Sequence, residues 1–416
     1  MSRSISFWIK ISVINLLLVA TLGLLMRYKI AYSLPFFDQK HLQHAHSHFA
    51  FSGWVSQSIY AAMVWFFKDI LPAPRMKKYN LLLWLNLVSS FGMLVTFSVG
   101  GYTAISITFS TGILLVSFLF AGFYWYDSKA FRSQGFHRWF AGAHFFNVIS
   151  AAGTIGLAWV MVNQIANTEA RLASLYYYLH FQYNGWFFFA GMGMLLFYLK
   201  HHLNINPEMK TIFRLMFYSA IPAYFLSTLW AKLPLWLYLL TLVAAAVQTI
   251  GWILILKKGL SGKWFPRARL PKTVYWLFIL STFAFCIKFF LQMVSVHPEL
   301  SRLAFGFRNI VIAYLHLVLL AGFTLFLLAY FQTLVRGIYR RTLASMGLVI
   351  IAIGVFFNEF ILLVQGIAGF LYIPIPFAAS LLLAAAFIIW AGVATLITGM
   401  RGHATEINEV RSVPGG

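Results

Sequence analysis

The chain has 416 residues, of which 61% are hydrophobic and only 10% are charged, and its mean hydropathy is +0.81. So few charged residues cannot cover a soluble domain of this length, so the composition predicts an integral membrane protein in contact with lipid. The formal net charge of +22 is divided among short loops between apolar runs, which excludes a nucleic-acid-binding domain. The single cysteine, Cys286, excludes an intrachain disulfide and a thiolate metal cluster.

Apolar runs of about 20 residues predict twelve membrane-spanning helices in one membrane domain that covers residues 1–416. The helices are expected to begin near residues 8, 42, 79, 104, 138, 172, 211, 234, 272, 306, 342 and 375. The first run has no small-residue cleavage site, which favours a membrane span over a removable signal peptide. The predicted fold class is an all-α polytopic membrane protein.

The distribution of basic residues predicts the orientation. The even-numbered loops and the two tails carry 23 of the 31 Lys and Arg residues. Because basic loops face the cytoplasm, both termini are expected there, with residues 401–416 as a cytoplasmic tail. The expected location is the cell's inner (plasma) membrane.

One short pattern occurs three times, in the stretches HAHSHFAFSGW (44–54), YLHFQYNGW (178–186) and YLHLVLLAGF (314–323). Its equivalent histidines, His48, His180 and His316, are 132 and 136 residues apart. This period predicts three four-helix modules related by a pseudo-threefold axis, over approximately residues 1–135, 136–270 and 271–400. The histidines then fall on helices 2, 6 and 10, in one layer of the outer half of the membrane.

Histidines inside membrane helices indicate a functional site. A neutral imidazole offers one acceptor nitrogen, which suits haem iron, and two facing histidines can hold a six-coordinate haem for electron transfer. The three equivalent histidines therefore predict haem or metal binding. The alternative is that each histidine hydrogen-bonds a neighbouring serine or backbone carbonyl.

A second group of histidines lies at the start of helix 2. His41, His44 and His48 share one helical face, and His46 points nearly opposite to it. A surface zinc or copper site at His41 and His44 is one interpretation. The other places His41 and His44 at the membrane interface and one of His46 or His48 inside the protein. The repeat alignment favours His48.

Three further polar residues in apolar runs suggest a proton path. They are His144 on helix 5, Lys288 on helix 9 and Glu359 on helix 11. The alternatives are a structural histidine at position 144, and a Lys288 side chain that either extends to the interface or pairs with Glu359.

Twelve helices with histidines on helices 2, 6 and 10 resemble subunit I of the haem-copper oxidase superfamily. This superfamily includes the cytochrome and quinol oxidases and the nitric oxide reductases. The resemblance implies that the helix 2 histidine (His48, or His46) and His316 are axial ligands of a low-spin, b-type haem. It also implies that His180 matches a histidine that binds copper or iron.

The chain departs from this superfamily at the oxygen-reactive site. Tyr314 stands where the superfamily has a second helix 10 histidine, and it is an alternative haem ligand. The superfamily's adjacent pair of histidines on helix 7 has no counterpart, because no histidine occurs between Leu203 and Val296. The position four residues after His180, a tyrosine in the oxidases, is Asn184. The ligand set therefore favours haem without copper.

Three functions remain open at this point. The first is a haem-binding electron-transfer, sensing or assembly protein that works with respiratory or cytochrome subunits. The second is an active terminal oxidase or nitric oxide reductase with an unorthodox site. The third is a transporter or channel without a cofactor.

Overall fold

The computed structural model describes residues 4–199, 207–260, 270–336, 341–400 and 405–406. Sixteen α-helices occur in this part of the chain. They are α1 (Ile5–Ala31), α2 (Gln39–Phe49), α3 (Gln57–Phe67), α4 (Ala73–Gly100), α5 (Ala104–Asp127), α6 (Gly135–Val162), α7 (Thr168–His180), α8 (Phe188–Leu199), α9 (Pro207–Ala220), α10 (Leu235–Leu260), α11 (Lys272–Val294), α12 (Pro298–Gly306), α13 (Arg308–His316), α14 (Leu325–Leu334), α15 (Arg341–Phe370) and α16 (Ala378–Thr398).

Nine helices of the described residues are long and apolar enough to cross a membrane, which makes the protein a multi-pass membrane protein. They are Ile5–Ala31, Ala73–Gly100, Ala104–Phe131, Gly135–Val162, Leu235–Leu260, Lys272–Val294, Asn309–Leu334, Thr342–Gly369 and Ala378–Thr398. The other three predicted spans, over 39–67, 168–199 and 207–228, consist of shorter helical segments in succession. The count of twelve spans and the division into three modules therefore stay predictions.

Three π-helical segments interrupt the helices that carry the repeated histidines. They are π1 (Ala50–Ser56), π2 (Phe181–Phe187) and π3 (Leu317–Thr324). The segments π2 and π3 begin at the residue after His180 and after His316, and π1 begins two residues after His48. Such segments insert an extra residue into a helix and are frequent at functional sites.

Side chains from neighbouring helices donate hydrogen bonds to backbone carbonyl oxygens of the π segments. The amide of Asn15 on α1 donates to the carbonyl oxygen of Gly53 at 2.6 Å. The hydroxyl of Ser281 on α11 donates to the carbonyl oxygen of Gly322 at 2.8 Å. These bonds tie α1 to π1 and α11 to π3 through buried backbone acceptors. The Gly322 carbonyl also accepts from the backbone N–H of Leu325.

The three π segments meet in a buried aromatic cluster at the centre of the molecule. The indole of Trp186 donates to Ser56 Oγ at 3.1 Å, and the indole of Trp54 donates to Thr324 Oγ1 at 2.9 Å. The ring of Phe323 then packs on the ring of Phe187. Each π segment thus contacts the next, and the contacts form a closed circuit: π2 to π1, π1 to π3 and π3 to π2.

Two 3-10 helices and a short pair of strands complete the described structure. A 3-10 helix, Ser128–Phe131, extends α5, and another, Pro222–Thr228, follows α9. Strands β1 (Val335–Arg336) and β2 (Thr405–Glu406) pair in antiparallel fashion. The rest of the predicted 401–416 tail lies outside the described residues.

Candidate functional site

The structure places two histidines that carry open ring nitrogens, His46 on α2 and His316 on α13, close enough to interact electrostatically. Nδ1 of His46 lies 3.1 Å from the carbonyl oxygen of Val19, and Nδ1 of His316 lies 2.8 Å from that of Ile312. Because a carbonyl oxygen only accepts, each Nδ1 carries the proton and each Nε2 carries the lone pair. Within the described residues, neither Nε2 has a hydrogen-bond partner. Both rings are only half-buried.

Two ionisable groups surround this pair. His46, His316 and Glu359 each interact electrostatically with Arg27, and His46 also interacts with His316. The Glu359 carboxylate accepts a hydrogen bond of 3.0 Å from the amide of Asn358. The cluster joins α1 and α2, which are consecutive near the start of the chain, to α13 and α15, which lie more than 250 residues later. We call these four residues, Arg27, His46, His316 and Glu359, the bis-histidine site.

Gly23 on α1 lies beside the ring of His46. A Cβ atom at Gly23 on α1 would lie 3.4 Å from Cε1 and 3.8 Å from Nδ1 of His46. A Cβ atom there would make an ordinary van der Waals contact, so the imidazole lies close to α1, and the bond to Val19 orients the ring. A ligand-binding histidine held in this way has a defined tautomer and ring plane.

His48 faces the opposite side of α2. Its ring stacks on Phe97 of α4, with centroids 4.5 Å apart and planes 3° apart. A hydrogen bond of 3.3 Å joins its Nε2 to the hydroxyl of Tyr102. Of the two helix 2 histidines predicted as haem ligands, His46 interacts electrostatically with His316, whereas His48 interacts with His44. His44 lies with His48, at a ring-centroid distance of 6.5 Å.

His180 is buried and uses both of its ring nitrogens. Nε2 lies 2.8 Å from the carbonyl oxygen of Ala220, to which it donates. Nδ1 lies 3.1 Å from the amide nitrogen of Asn184, from which it accepts. This arrangement matches the alternative in which the histidine hydrogen-bonds a backbone carbonyl. It does not join the bis-histidine site.

Tyr314 pairs with another tyrosine. The ring centroids of Tyr314 and Tyr183 are 6.1 Å apart, and the two side chains are hydrogen-bonded to each other. The pair links α13 to π2, and thus the second and third copies of the repeated pattern. Because its hydroxyl is already hydrogen-bonded to Tyr183, Tyr314 does not offer a free oxygen to haem iron in this arrangement.

Lys288 is buried on α11 and begins a chain of hydrogen bonds that runs through two glutamines. Its ammonium donates to Gln292 Oε1 at 2.7 Å, and Gln292 Nε2 donates to Gln248 Oε1 at 2.7 Å. The ammonium also lies 3.8 Å from the centroid of the Phe289 ring. The expectation that Lys288 pairs with Glu359 is therefore not what the structure shows, because the two side chains belong to separate clusters.

His144 lies in a third environment, fully buried among aromatic rings. Its ring centroid is 5.4 Å from that of Phe120, 4.6 Å from Tyr124 and 5.3 Å from Trp186. Neither ring nitrogen has a hydrogen-bond partner in the described part of the chain. The three residues predicted as a proton path, His144, Lys288 and Glu359, are not brought together.

Sequence reasoning missed a second set of equivalent positions. Asn15, Asn147 and Ser281 lie 132 and 134 residues apart, on the long apolar helix before each repeated histidine (α1, α6 and α11). The first and third bind the π-segment carbonyls described above, and Asn147 accepts from Gln182 of π2 at 2.9 Å. The same repeat period would have found them. Each is a small polar residue in an apolar run, 33, 33 and 35 residues before the respective histidine.

The side chains of the described residues form no group of three or more His, Cys, Asp or Glu that converges on one point. Comparison with known proteins adds no further assignment, because no protein-family model matches the chain and no curated protein is significantly similar to it. The candidate site therefore depends on its geometry and chemistry.

Proposed function

We propose that the protein binds one low-spin, b-type haem between His46 and His316 and acts in electron transfer. The single observation that carries this proposal is that the two imidazoles have the same hydrogen-bonding pattern. Each donates its Nδ1 proton to a backbone carbonyl and leaves Nε2 open. Histidines that ligate metals almost always have this second hydrogen bond, which orients the ring and makes Nε2 a better donor to iron.

The surroundings of the two histidines suit a haem. Haem carries two carboxylate groups, and the guanidinium of Arg27 is the side chain best shaped to pair with a carboxylate. The ring of His46 lies at ordinary van der Waals distance from a Cβ atom placed at Gly23, so α1 borders the ring without crowding it. Two axial histidines leave no open position on the iron, so the bound group would supply one-electron transfer.

The twelve-span, three-module architecture is part of the same proposal. The nine long helices, together with the helical stretches 39–67, 168–199 and 207–228, supply twelve candidates. The module division is supported by the π segments, which follow equivalent histidines, and by the equivalent polar residues Asn15, Asn147 and Ser281. The closed circuit of contacts among π1, π2 and π3 supports a pseudo-threefold axis at the centre. Positive loops support cytoplasmic termini in the inner (plasma) membrane.

Electron transfer is favoured over oxygen or nitric oxide turnover by two contacts. A second metal centre built on His180 would have to replace the bonds to Ala220 and Asn184. A haem on Tyr314 would have to separate it from Tyr183. A partner that donates or accepts the electron, such as a cytochrome or a respiratory subunit, follows from the proposed chemistry.

The test is to purify the protein in mild detergent and to measure haem by the pyridine haemochrome, with iron and copper by elemental analysis. We expect about one haem per chain with a low-spin spectrum. The variants His46→Ala and His316→Ala should lose it. The matched controls His48→Ala and His180→Ala, which alter equivalent histidines outside the bis-histidine site, should retain it.

Each other result points to a different function. Two haems, or one haem with a stoichiometric second metal that is lost in His180→Ala, would support the oxidase or reductase. Loss of haem in His48→Ala but not in His46→Ala would move the ligand to the other face of α2. A colourless protein would contradict the proposal and support a transporter, in which the histidines serve as helix-packing contacts.

A further inference from the structure

A separate cluster of histidine and tyrosine side chains lies at the start of α2. His41, His44 and His48 share one face of this helix, and Tyr102 faces them from the turn between α4 and α5. The Tyr102 ring is 4.7 Å from His44 by centroids, and its hydroxyl is 3.3 Å from Nε2 of His48. Electrostatic interactions also join His41 to His44 and His44 to His48.

The turn is shaped to bring Tyr102 to this position. Gly101 has φ of +62°, a conformation that side chains rarely allow. A Cβ atom at Gly101 would lie 2.6 Å from the ring of His41, so this histidine packs directly on the glycine backbone. The side chain of Tyr102 remains 41% exposed. The cluster is therefore constrained by the turn and partly exposed at the protein surface.

We propose that His44 and His48 bind a divalent transition-metal ion of the imidazole-preferring type, Cu²⁺ or Zn²⁺, with His41 and Tyr102 as additional ligands. Two histidines four residues apart project from one helical face and can hold the same ion. Imidazole is a preferred ligand for both metals, and a phenol oxygen or water can complete the coordination. The site is independent of the bis-histidine site, because His46 points to the other side of α2.

Metal binding requires a small adjustment in this cluster. The rings of His44 and His48 are 6.5 Å apart by centroids, and their lone pairs do not yet converge. Rotation about the side-chain bonds brings them together, since both rings border the exposed Tyr102. The bound ion would fasten α2 to the turn between α4 and α5. The charge distribution assigns this end of α2 to the outer face.

The test is a titration of the full-length protein in detergent with Cu²⁺, followed by electron paramagnetic resonance, with Zn²⁺ as a competitor. We expect one tightly bound Cu²⁺ per chain with nitrogen hyperfine structure, and displacement of that signal by Zn²⁺. His44→Ala and His48→Ala should each weaken binding about tenfold or more. His297→Ala, at an exposed histidine outside the cluster, serves as the matched control and should bind as wild type does.

Haem content is measured on the same samples, so that failure of the metal-site proposal can be distinguished from failure of the haem proposal. Unchanged haem with weaker Cu²⁺ binding in His44→Ala supports the metal site, whatever the fate of the haem proposal. Equal Cu²⁺ affinity in wild type, His44→Ala and His48→Ala would overturn it. If an alanine variant does not fold, His44→Gln and His48→Gln preserve size and polarity and make the same comparison.

Discussion

Trp54 donates its indole N–H to Thr324 Oγ1 at 2.9 Å, which joins two π segments that are 270 residues apart in sequence. The Trp54 side chain is almost fully buried, and its ring also packs edge-on against Phe331. The bond therefore ties the first copy of the repeated pattern to the third, at the centre of the molecule.

We expect Trp54→Phe to lower the free energy of unfolding by about 1–3 kcal/mol, because it removes a buried hydrogen bond and leaves a small cavity. Thermal unfolding in detergent measures the change. The matched control is Trp159→Phe, at a tryptophan that is 65% exposed, which should change stability by less than about 0.5 kcal/mol. Equal effects of the two substitutions would contradict a central role for this bond.

Gly185 permits the closest helix contact of π2. A Cβ atom there would lie 2.4 Å from Cβ of Phe146 on α6, which cannot move without its backbone. We expect Gly185→Ala to destabilise the protein by about 1–3 kcal/mol through overpacking. Gly122→Ala on α5, where a Cβ would meet nothing within 4 Å, should instead stabilise it by about 0.4–1 kcal/mol. Opposite signs in thermal unfolding are the expected result, and a stabilised Gly185→Ala variant would show that α6 is free to shift.

The contact between Lys288 and Gln292 is tested by removing each partner and then both. Gln292→Leu leaves the buried ammonium without its acceptor, which is expected to cost about 1–3 kcal/mol or more. Lys288→Met removes the charge itself and is expected to be close to neutral, since buried charges are often replaced by apolar groups without loss. The double variant should recover most of the loss, with a coupling energy above about 0.5 kcal/mol in thermal unfolding. Additive effects would mean that the two side chains are not coupled.

Asp38 makes one contribution that depends on pH. Its carboxylate caps α2 by accepting from the backbone N–H groups of Lys40 and His41, at 2.8 and 2.9 Å. The bond from His41 is the main cause of a lowered pKa of Asp38 in the folded protein. A lowered folded pKa means that the stabilisation is present above the unfolded value, near pH 4, and is lost as the pH falls through the folded pKa.

The corresponding variant is Asp38→Asn, which keeps the capping oxygen and removes the titration. The difference in melting temperature between wild type and this variant should be constant above about pH 5 and should change in the asparagine variant's favour as the pH falls below about 4. Asp38→Ala, which lacks the cap at every pH, is the control. A difference that does not depend on pH would show that the carboxylate is not the titrating group.

Several helix boundaries follow from the sequence, and one misprediction has a clear cause. Helices α5 and α11 begin at Ala104 and Lys272, the predicted positions. Helix α4 begins at Ala73, about six residues before its predicted start, because Pro74 occupies the first turn and a polar turn follows it. Apolar content predicts the part of a helix that lies in the membrane. It does not predict polar helical turns that extend beyond that part.

The sequence alone determined that this is a multi-pass helical membrane protein and that one pattern with a histidine recurs three times, because composition and spacing are properties of the chain itself. Only the tertiary structure decided which histidine faces which. His46 and His48 differ by two positions on one helix, and thus by more than half a turn. The packing of α1 and α4 on opposite sides of α2 directs His46 towards His316 and His48 towards Tyr102. The π segments, too, depend on partners from distant helices, such as Asn15 and Ser281, and no local pattern encodes those contacts.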